Sequence, residues 1–236
     1  MYSWRATIGL ISPGTGVNME RDFERFIPDG VGVATTRIPF SGFPSPEDLL
    51  DMVSHLRDTA GIFRDAEHDC VMFGCTSGSL VGGPGFDKKC IDTIEEACHW
   101  PGLTTSTVLL EGFDKLGVSR PAVVTPYPDD TNRIEVDFLK QQGIDATCIV
   151  GMEFSENDIA LIQPSLVYRY VKRLDLTGAD SIFISCTGLN VLDLIETIET
   201  DFGLPVITSN QVTLWGALRH SRVGTKIPYL GKLFTL

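Results

Sequence analysis

The chain has 236 residues, of which 43% are hydrophobic and 21% charged, and its formal net charge is −12. That acidity excludes a nucleic-acid or anionic-membrane surface, because both need clustered Lys and Arg. No apolar run approaches the ~18 residues of a membrane helix, and the length suffices for one full core or two small lobes.

In chain order, short Val- and Ile-rich runs bounded by Gly, Pro or Asp alternate with longer amphipathic ones. Met1–Leu10 lacks the basic start, apolar middle and small-residue cleavage site of a signal peptide, so a cytoplasmic protein is expected and the segment reads as the approach to a first strand, Ala6–Ser12. Val31–Arg37 is the second strand. Ser45 is an N-cap candidate, followed by Pro46 at the first helical position, and predicts a helix over Pro46–Ala66. Cys70–Gly74 and Leu103–Thr105 are the next strands, with a helix carrying Cys90 and Cys98 between them. The second half brings strands at Ala122–Pro126, Ala146–Val150, Ser181–Ser185 and Val206–Thr208. Its helices are Asp129–Gln142, stopped at Gly143, and Asn157–Leu174, where Pro164 predicts a kink or a break.

Eight strand–helix units result, four in each half, and that alternation implies parallel sheets covered on both faces. The halves match in order. Pro13 and Pro126 end the first strands and Gly30 and Gly143 precede the second ones, each pair 113 residues apart. Cys75 and Cys186 end the third strands, each six residues after an aspartate (Asp69, Asp180) and each followed by threonine. Ser106 and Ser209 close the fourth. A period near 110 residues marks a duplicated domain rather than a solenoid. The predicted fold is α/β with two pseudo-symmetric lobes, each a four-stranded parallel sheet flanked by helices, over residues 1–116 and 117–210, with the active site in the cleft between them.

Ligands of open parallel sheets bind beyond the carboxyl ends of the strands. The polar clusters lie there: Ser12–Gly16, with Pro13 and Gly14; Cys75–Ser79, with Thr76 and Ser77; Thr125–Tyr127; Cys186–Gly188, with Thr187 and Gly188; and Thr208–Asn210. Hydroxyls and helix-start N–H groups without clustered Arg suit a small carboxylate. The Gly82–Gly85 loop lacks the Gly-Lys-Ser/Thr ending of a phosphate loop. Six cysteines in a long chain without a signal read as reduced thiols, and no Cys-x-x-Cys or His-x-x-x-His pair indicates zinc. Buried cysteine is usually a small apolar residue, which is the reading for Cys70, Cys90, Cys98 and Cys148. Cys75 and Cys186 differ in sharing the strand-end position, as two thiols acting on opposite sides of one carbon would. The four histidines receive no role.

These residues resemble the aspartate/glutamate racemase superfamily, and within it the branch of maleate cis-trans isomerases, arylmalonate decarboxylases and ectoine-utilisation EutA-like proteins. Val81–Gly85, Val124–Tyr127 and Ile184–Cys186 look like maleate isomerase segments, Gly74–Ser77 resembles the EutA-like segment, and Tyr127–Asp130, Leu189–Leu192 and Gly231–Phe234 are similar to the decarboxylases. The resemblance implies carboxylate-binding roles for Thr76, Ser77 and Tyr127, and a C-terminal helix over 211–222 that packs back on the first lobe. Two positions depart from it. The decarboxylases have glycine where this chain has Cys75, and the maleate isomerases have asparagine where this chain has Gly16, with Asn18 close by.

The expected function is a cofactor-independent isomerase or racemase of a small carboxylate, with no metal and Cys75 and Cys186 as the catalytic pair. The rivals are a decarboxylase with Cys186 as proton donor and a non-catalytic two-lobed binding protein. Self-association into a homo-oligomer is left open.

Overall fold

A computed structural model describes residues 3–40 and 43–236; Met1 and Tyr2 lie outside them. The first sheet contains β1 (Ala6–Pro13), β2 (Val31–Ile38), β3 (Cys70–Phe73) and β4 (Gly102–Thr104) in the order β2-β1-β3-β4. The second contains β5 (Pro121–Thr125), β6 (Cys148–Gly151), β7 (Ser181–Ile184) and β8 (Val206–Thr208) in the order β6-β5-β7-β8. Among the described residues, all six pairings are parallel. Strands β3, β5 and β7 are buried along their whole length, which accounts for their unbroken apolar sequences, whereas the edge strand β2 alternates with exposed positions.

The helices are α1 (Val17–Phe26), α2 (Pro46–Ser54), α3 (Leu56–Gly61), α4 (Thr76–Leu80), α5 (Phe86–Cys98), α6 (Thr105–Leu116), α7 (Asp129–Gln141), α8 (Glu156–Ile159), α9 (Pro164–Val171), α10 (Ile195–Phe202) and α11 (Ser209–His220). Ser45 caps α2 by accepting the Asp48 N–H, but the predicted helix over Pro46–Ala66 is two helices, interrupted at His55. The predicted helix over Asn157–Leu174 breaks as expected at Pro164, which starts α9.

Register makes the internal duplication explicit. Ile11 pairs with Phe73 and Val124 with Ile184. The next amides repeat the match, Gly74 N–H donating to Ile11 O at 2.8 Å and Ser185 N–H to Val124 O at 2.9 Å. Pro13 therefore corresponds to Pro126, Gly14 to Tyr127 and Cys75 to Cys186. Gly30 and Gly143 correspond as left-handed turn residues, with φ of 82° and 78°. The paired aspartates have a structural job at the far end of the sheets. Asp69 accepts the Thr7 N–H, and Asp180 accepts those of Ser119 and Arg120.

The fourth-strand match needs correction. Thr104 and Thr208 are the equivalent residues, each ending its strand and capping the next helix through its side-chain oxygen. Ser106 and Ser209 are therefore one position out of step.

Helix α11 starts at Ser209 and ends at His220, so it begins two residues before the predicted 211–222. It packs against α6: a Cβ placed on Gly216 would meet Val108 Cγ1 at 2.4 Å, and one on Gly112 would meet Val212 Cγ2 at 2.7 Å. Its Thr213 hydroxyl bonds to that of Thr105 at 2.9 Å. Among the described residues no helix is long and apolar enough to cross a membrane.

Candidate active site

In each sheet the chain runs outward from its first strand to the second and then returns to the first strand's other side. The C-terminal ends of β1 and β3, and of β5 and β7, flank these reversal points, where parallel sheets open a crevice. Pro13 and Cys75 lie at one reversal, Tyr127 and Cys186 at the other.

Cys75 follows β3 by two residues in extended backbone and is the N-cap of α4. Its Sγ accepts the Gly78 N–H at 3.3 Å, and Ser77 Oγ lies 3.9 Å away. Cys186 follows β7 by two residues, and its Sγ accepts the Gly188 N–H, also at 3.3 Å. Each sulfur thus faces a backbone donor, and N–H donors and helix N-termini favour thiolate over thiol. Cys186 holds φ at 117°, a region that side chains rarely adopt and one that concentrates at functional sites.

The threonines after the two cysteines both cross between lobes. Thr187 donates its hydroxyl to Gly74 O at 3.1 Å, and Thr76 donates to Ser209 Oγ at 2.7 Å. Ser209 Oγ also accepts the Cys186 N–H at 3.0 Å, so one oxygen joins the residue after the first cysteine to the backbone of the second. The donor hydrogens of Thr76 and Thr187, both read from the sequence as ligand donors, are engaged in holding the lobes together.

Tyr127 is 1% exposed. Its hydroxyl lies within hydrogen-bonding reach of Cys186 and within electrostatic reach of Cys75 and Glu135. Burial pushes the phenol well above its ordinary value, and negative charge on those three groups acts in the same direction. The phenol therefore stays protonated beside Cys186. Its backbone is fixed by Thr125 Oγ1, which accepts the Tyr127 N–H at 3.1 Å, and by Asn132, which donates to Tyr127 O at 3.3 Å. At the equivalent position Gly14 packs close to the next loop: a Cβ there would sit 3.1 Å from Phe40 O. The Gly14 N–H is spent on Ile38 O at 2.9 Å and Pro13 has none, so these two residues offer a ligand shape rather than donors.

Burial pushes the Cys70 thiol up to about 11 and the Cys90 thiol up to about 12, and raises that of Cys98. These thiols stay protonated and inert at neutral pH. Among the described residues, no three His, Cys, Asp or Glu side chains are grouped so as to hold a metal ion.

Sequence reasoning missed Asp22 and Glu135 near the cysteines and did not see what Asn18 and Asn210 bond to. Asn18 on α1 donates to Gly188 O at 2.7 Å. Asp22 on the same helix accepts from Asn210 Nδ2 at 2.6 Å, and burial raises its carboxyl to about 6. Glu135 on α7 is fully buried and lies near the Ser185 hydroxyl, but outside hydrogen-bond geometry, and burial lifts it to about 7.

The arylmalonate decarboxylase family model matches residues 8–234. The arylmalonate decarboxylase of Bordetella bronchiseptica is 31% identical over 241 residues, covering 97% of this chain and 96% of that protein. The maleate isomerase of Nocardia farcinica is 26% identical, covering 96% of this chain and 94% of that protein. A liganded crystal structure of an arylmalonate decarboxylase variant, with one glycine changed to cysteine and one cysteine to serine, superposes with a TM-score of 0.88 at 27% identity, covering 97% of this chain and 98% of that one. Fold, register and matched sequence agree from one end of the chain to the other: the protein belongs to the arylmalonate decarboxylase family, on the branch it shares with the maleate isomerases.

Proposed function

We propose that the protein is a cofactor-independent isomerase or racemase that works on a small carboxylate with Cys75 and Cys186. The observation that carries this reading is the matched pair of sulfurs, each at a strand end and each accepting a backbone N–H at 3.3 Å, with the Tyr127 hydroxyl within hydrogen-bonding reach of Cys186. A decarboxylase that protonates one face needs one such thiol; a second, built to the same pattern in the opposite lobe, suits chemistry on two faces.

Two reactions fit. In racemisation one thiolate removes the proton beside the carboxylate, the electron pair spreads onto the carboxylate, and the opposite thiol delivers a proton to the other face. In cis-trans isomerisation Cys75 sulfur adds to a carbon of the double bond and the π pair moves to the adjacent carbon and its carboxylate. The Cys186 thiol protonates that carbon. After rotation Cys186 takes the proton back and the carbon–sulfur bond breaks. Both reactions load charge onto the carboxylate, where Ser77, Tyr127 and the first N–H groups of α4 are the donors.

Decarboxylation with Cys186 as proton donor is the second reading, favoured by the 31% identity with the Bordetella bronchiseptica decarboxylase. Proton NMR in deuterated water, run on a panel of dicarboxylates, arylmalonates and amino acids, separates the three. Exchange with inversion marks a racemase, cis-trans conversion an isomerase, and loss of a carboxylate a decarboxylase. Conversion should vanish in both Cys75→Ser and Cys186→Ser. Full turnover of every active substrate by Cys75→Ser would overturn the two-thiol reading in favour of the decarboxylase.

A further inference from the structure

Helix α1 follows the first strand of the first lobe, yet its polar side chains reach into the second. Asn18, Asp22 and Arg25 stand at i, i+4 and i+7, which places them on one face. Asn18 Nδ2 donates to Gly188 O at 2.7 Å and to Ala160 O at 3.3 Å. Asp22 accepts from Asn210, whose amide also reaches Leu189 O at 3.3 Å. Arg25 forks onto both Asp193 oxygens at 2.9 and 3.0 Å. All three grips fall on, or act through, the segment just beyond Cys186.

That segment needs holding. Residues 185–191 form neither helix nor strand, and Cys186 is in a strained conformation. Gly188 supplies the N–H that faces Cys186 Sγ, but it has no side chain of its own to anchor it, and a Cβ there would sit 2.8 Å from Ile159 Cγ2. The three grips differ in weight. The Arg25–Asp193 pair is solvent-exposed and contributes little. Asp22 acts one step away, through Asn210. Asn18 bonds directly to Gly188.

We propose that Asn18 is a positioning residue for Cys186: by fixing the Gly188 carbonyl from the opposite lobe, it keeps the Gly188 N–H on Cys186 Sγ and sets the reactivity of that thiol without touching substrate. The proposal takes from the two-thiol reading that Cys186 reacts as a thiolate, but its consequence is local to one sulfur. The other ionisable groups facing this region are Tyr127 beyond β5, Cys75 of the first lobe, Glu135 on α7 beyond Ser185, and Asp22 through Asn210. The substitution changes none of them.

The test is iodoacetamide alkylation of the full-length protein across pH, followed cysteine by cysteine by peptide mass spectrometry, in Asn18→Ala and in the near-isosteric, uncharged Asn18→Leu. Cys186 should alkylate on the order of tenfold more slowly at neutral pH, with its midpoint moved upward, because the charged form loses a hydrogen-bond donor. Cys75, in the same molecules, should keep its wild-type profile, which also shows that the fold is intact. Asn18→Leu keeps the side chain's size and removes the donor without adding a charge, so it reads the bond itself even where alanine loosens the helix. Unchanged Cys186 alkylation, or equal slowing of both cysteines, overturns the proposal. No substrate enters the measurement. If no carboxylate is turned over while Cys186 alone slows, the enzymatic reading falls and the positioning role stands.

Discussion

Thr76 and Thr187 occupy equivalent positions after the two candidate catalytic cysteines, and each sends its hydroxyl into the other lobe. Both are buried, so a lost bond leaves a carbonyl or hydroxyl without its partner away from water. Thr187→Val, nearly the same shape, should destabilise the protein by about 1–3 kcal/mol, the cost of an unsatisfied buried acceptor. Thr187→Ser should cost much less. Urea unfolding at constant slope measures both, and equal stability of the valine variant and wild type would remove this bond from the account.

Tyr127→Phe deletes the hydroxyl beside Cys186 and changes little else. Removal of one donor to a developing charge costs on the order of 10²–10³ in turnover. That loss is expected here, with the protein's melting temperature nearly unchanged. Near-wild-type turnover would place the carboxylate elsewhere.

Glu135 makes stability depend on pH. Its carboxyl is raised from 4.5 to about 7 by burial, so between those values the folded protein holds a proton that the unfolded chain has released. Stability is therefore full below pH 4.5 and declines as pH rises towards 7, by about 3 kcal/mol from this group. Asp22, raised to about 6, slopes the same way. Glu135→Gln should flatten the slope between pH 5 and 8 measured by chemical unfolding. A wild-type protein that gains stability over that range would contradict the burial argument.

Cys186 offers a separate test of strain. A non-glycine residue at φ 117° stores on the order of 1–3 kcal/mol, which glycine does not, while glycine's extra freedom in the unfolded chain costs about 0.5–1 kcal/mol. Cys186→Gly should thus be at least as stable as Cys186→Ser, although both lack the thiol. A less stable glycine variant would mean that the loop is relaxed.

At the crossing of α6 and α11, Gly216→Ala would push a methyl to 2.4 Å from Val108. Overpacking of this kind costs about 1–3 kcal/mol. The double variant with Val108→Ala should recover part of it, since both changes address the same contact.

The strands were legible because each is a brief apolar run closed by Pro, Gly or Asp, and β8 (Val206–Thr208) agrees to the residue. The break at His55 was not, since no Gly or Pro marks it. Leu49, Met52, Leu56 and Ala60 continue one buried stripe across it into the same core cluster, so the periodicity gives no sign of the break. The one-residue slip at Ser106 and Ser209 came from matching residue type, whereas what recurs is the capping duty of Thr104 and Thr208. In the site, the two cysteines and Tyr127 announced themselves by position. Asp22 and Glu135 did not, and the contacts of Asn18 and Asn210 were hidden, because their partners are distant in sequence: Asn18 and Gly188 are 170 residues apart, Asp22 and Asn210 188. Burial, not residue type, is what makes Glu135 and Asp22 unusual, and burial depends on both lobes being in place.

The two sulfurs share a register but not a backbone: Cys75 has φ −146° as a helix cap, and Cys186 has φ 117° in an open loop. Two identical half-length chains related by a twofold axis would be bound to present both thiols alike. Fusion into one polypeptide lifts that bond, so each half can drift on its own. An enantioface preference can then reside in the main chain behind the sulfurs, and altering the side chains that touch the substrate would leave part of that handedness in place.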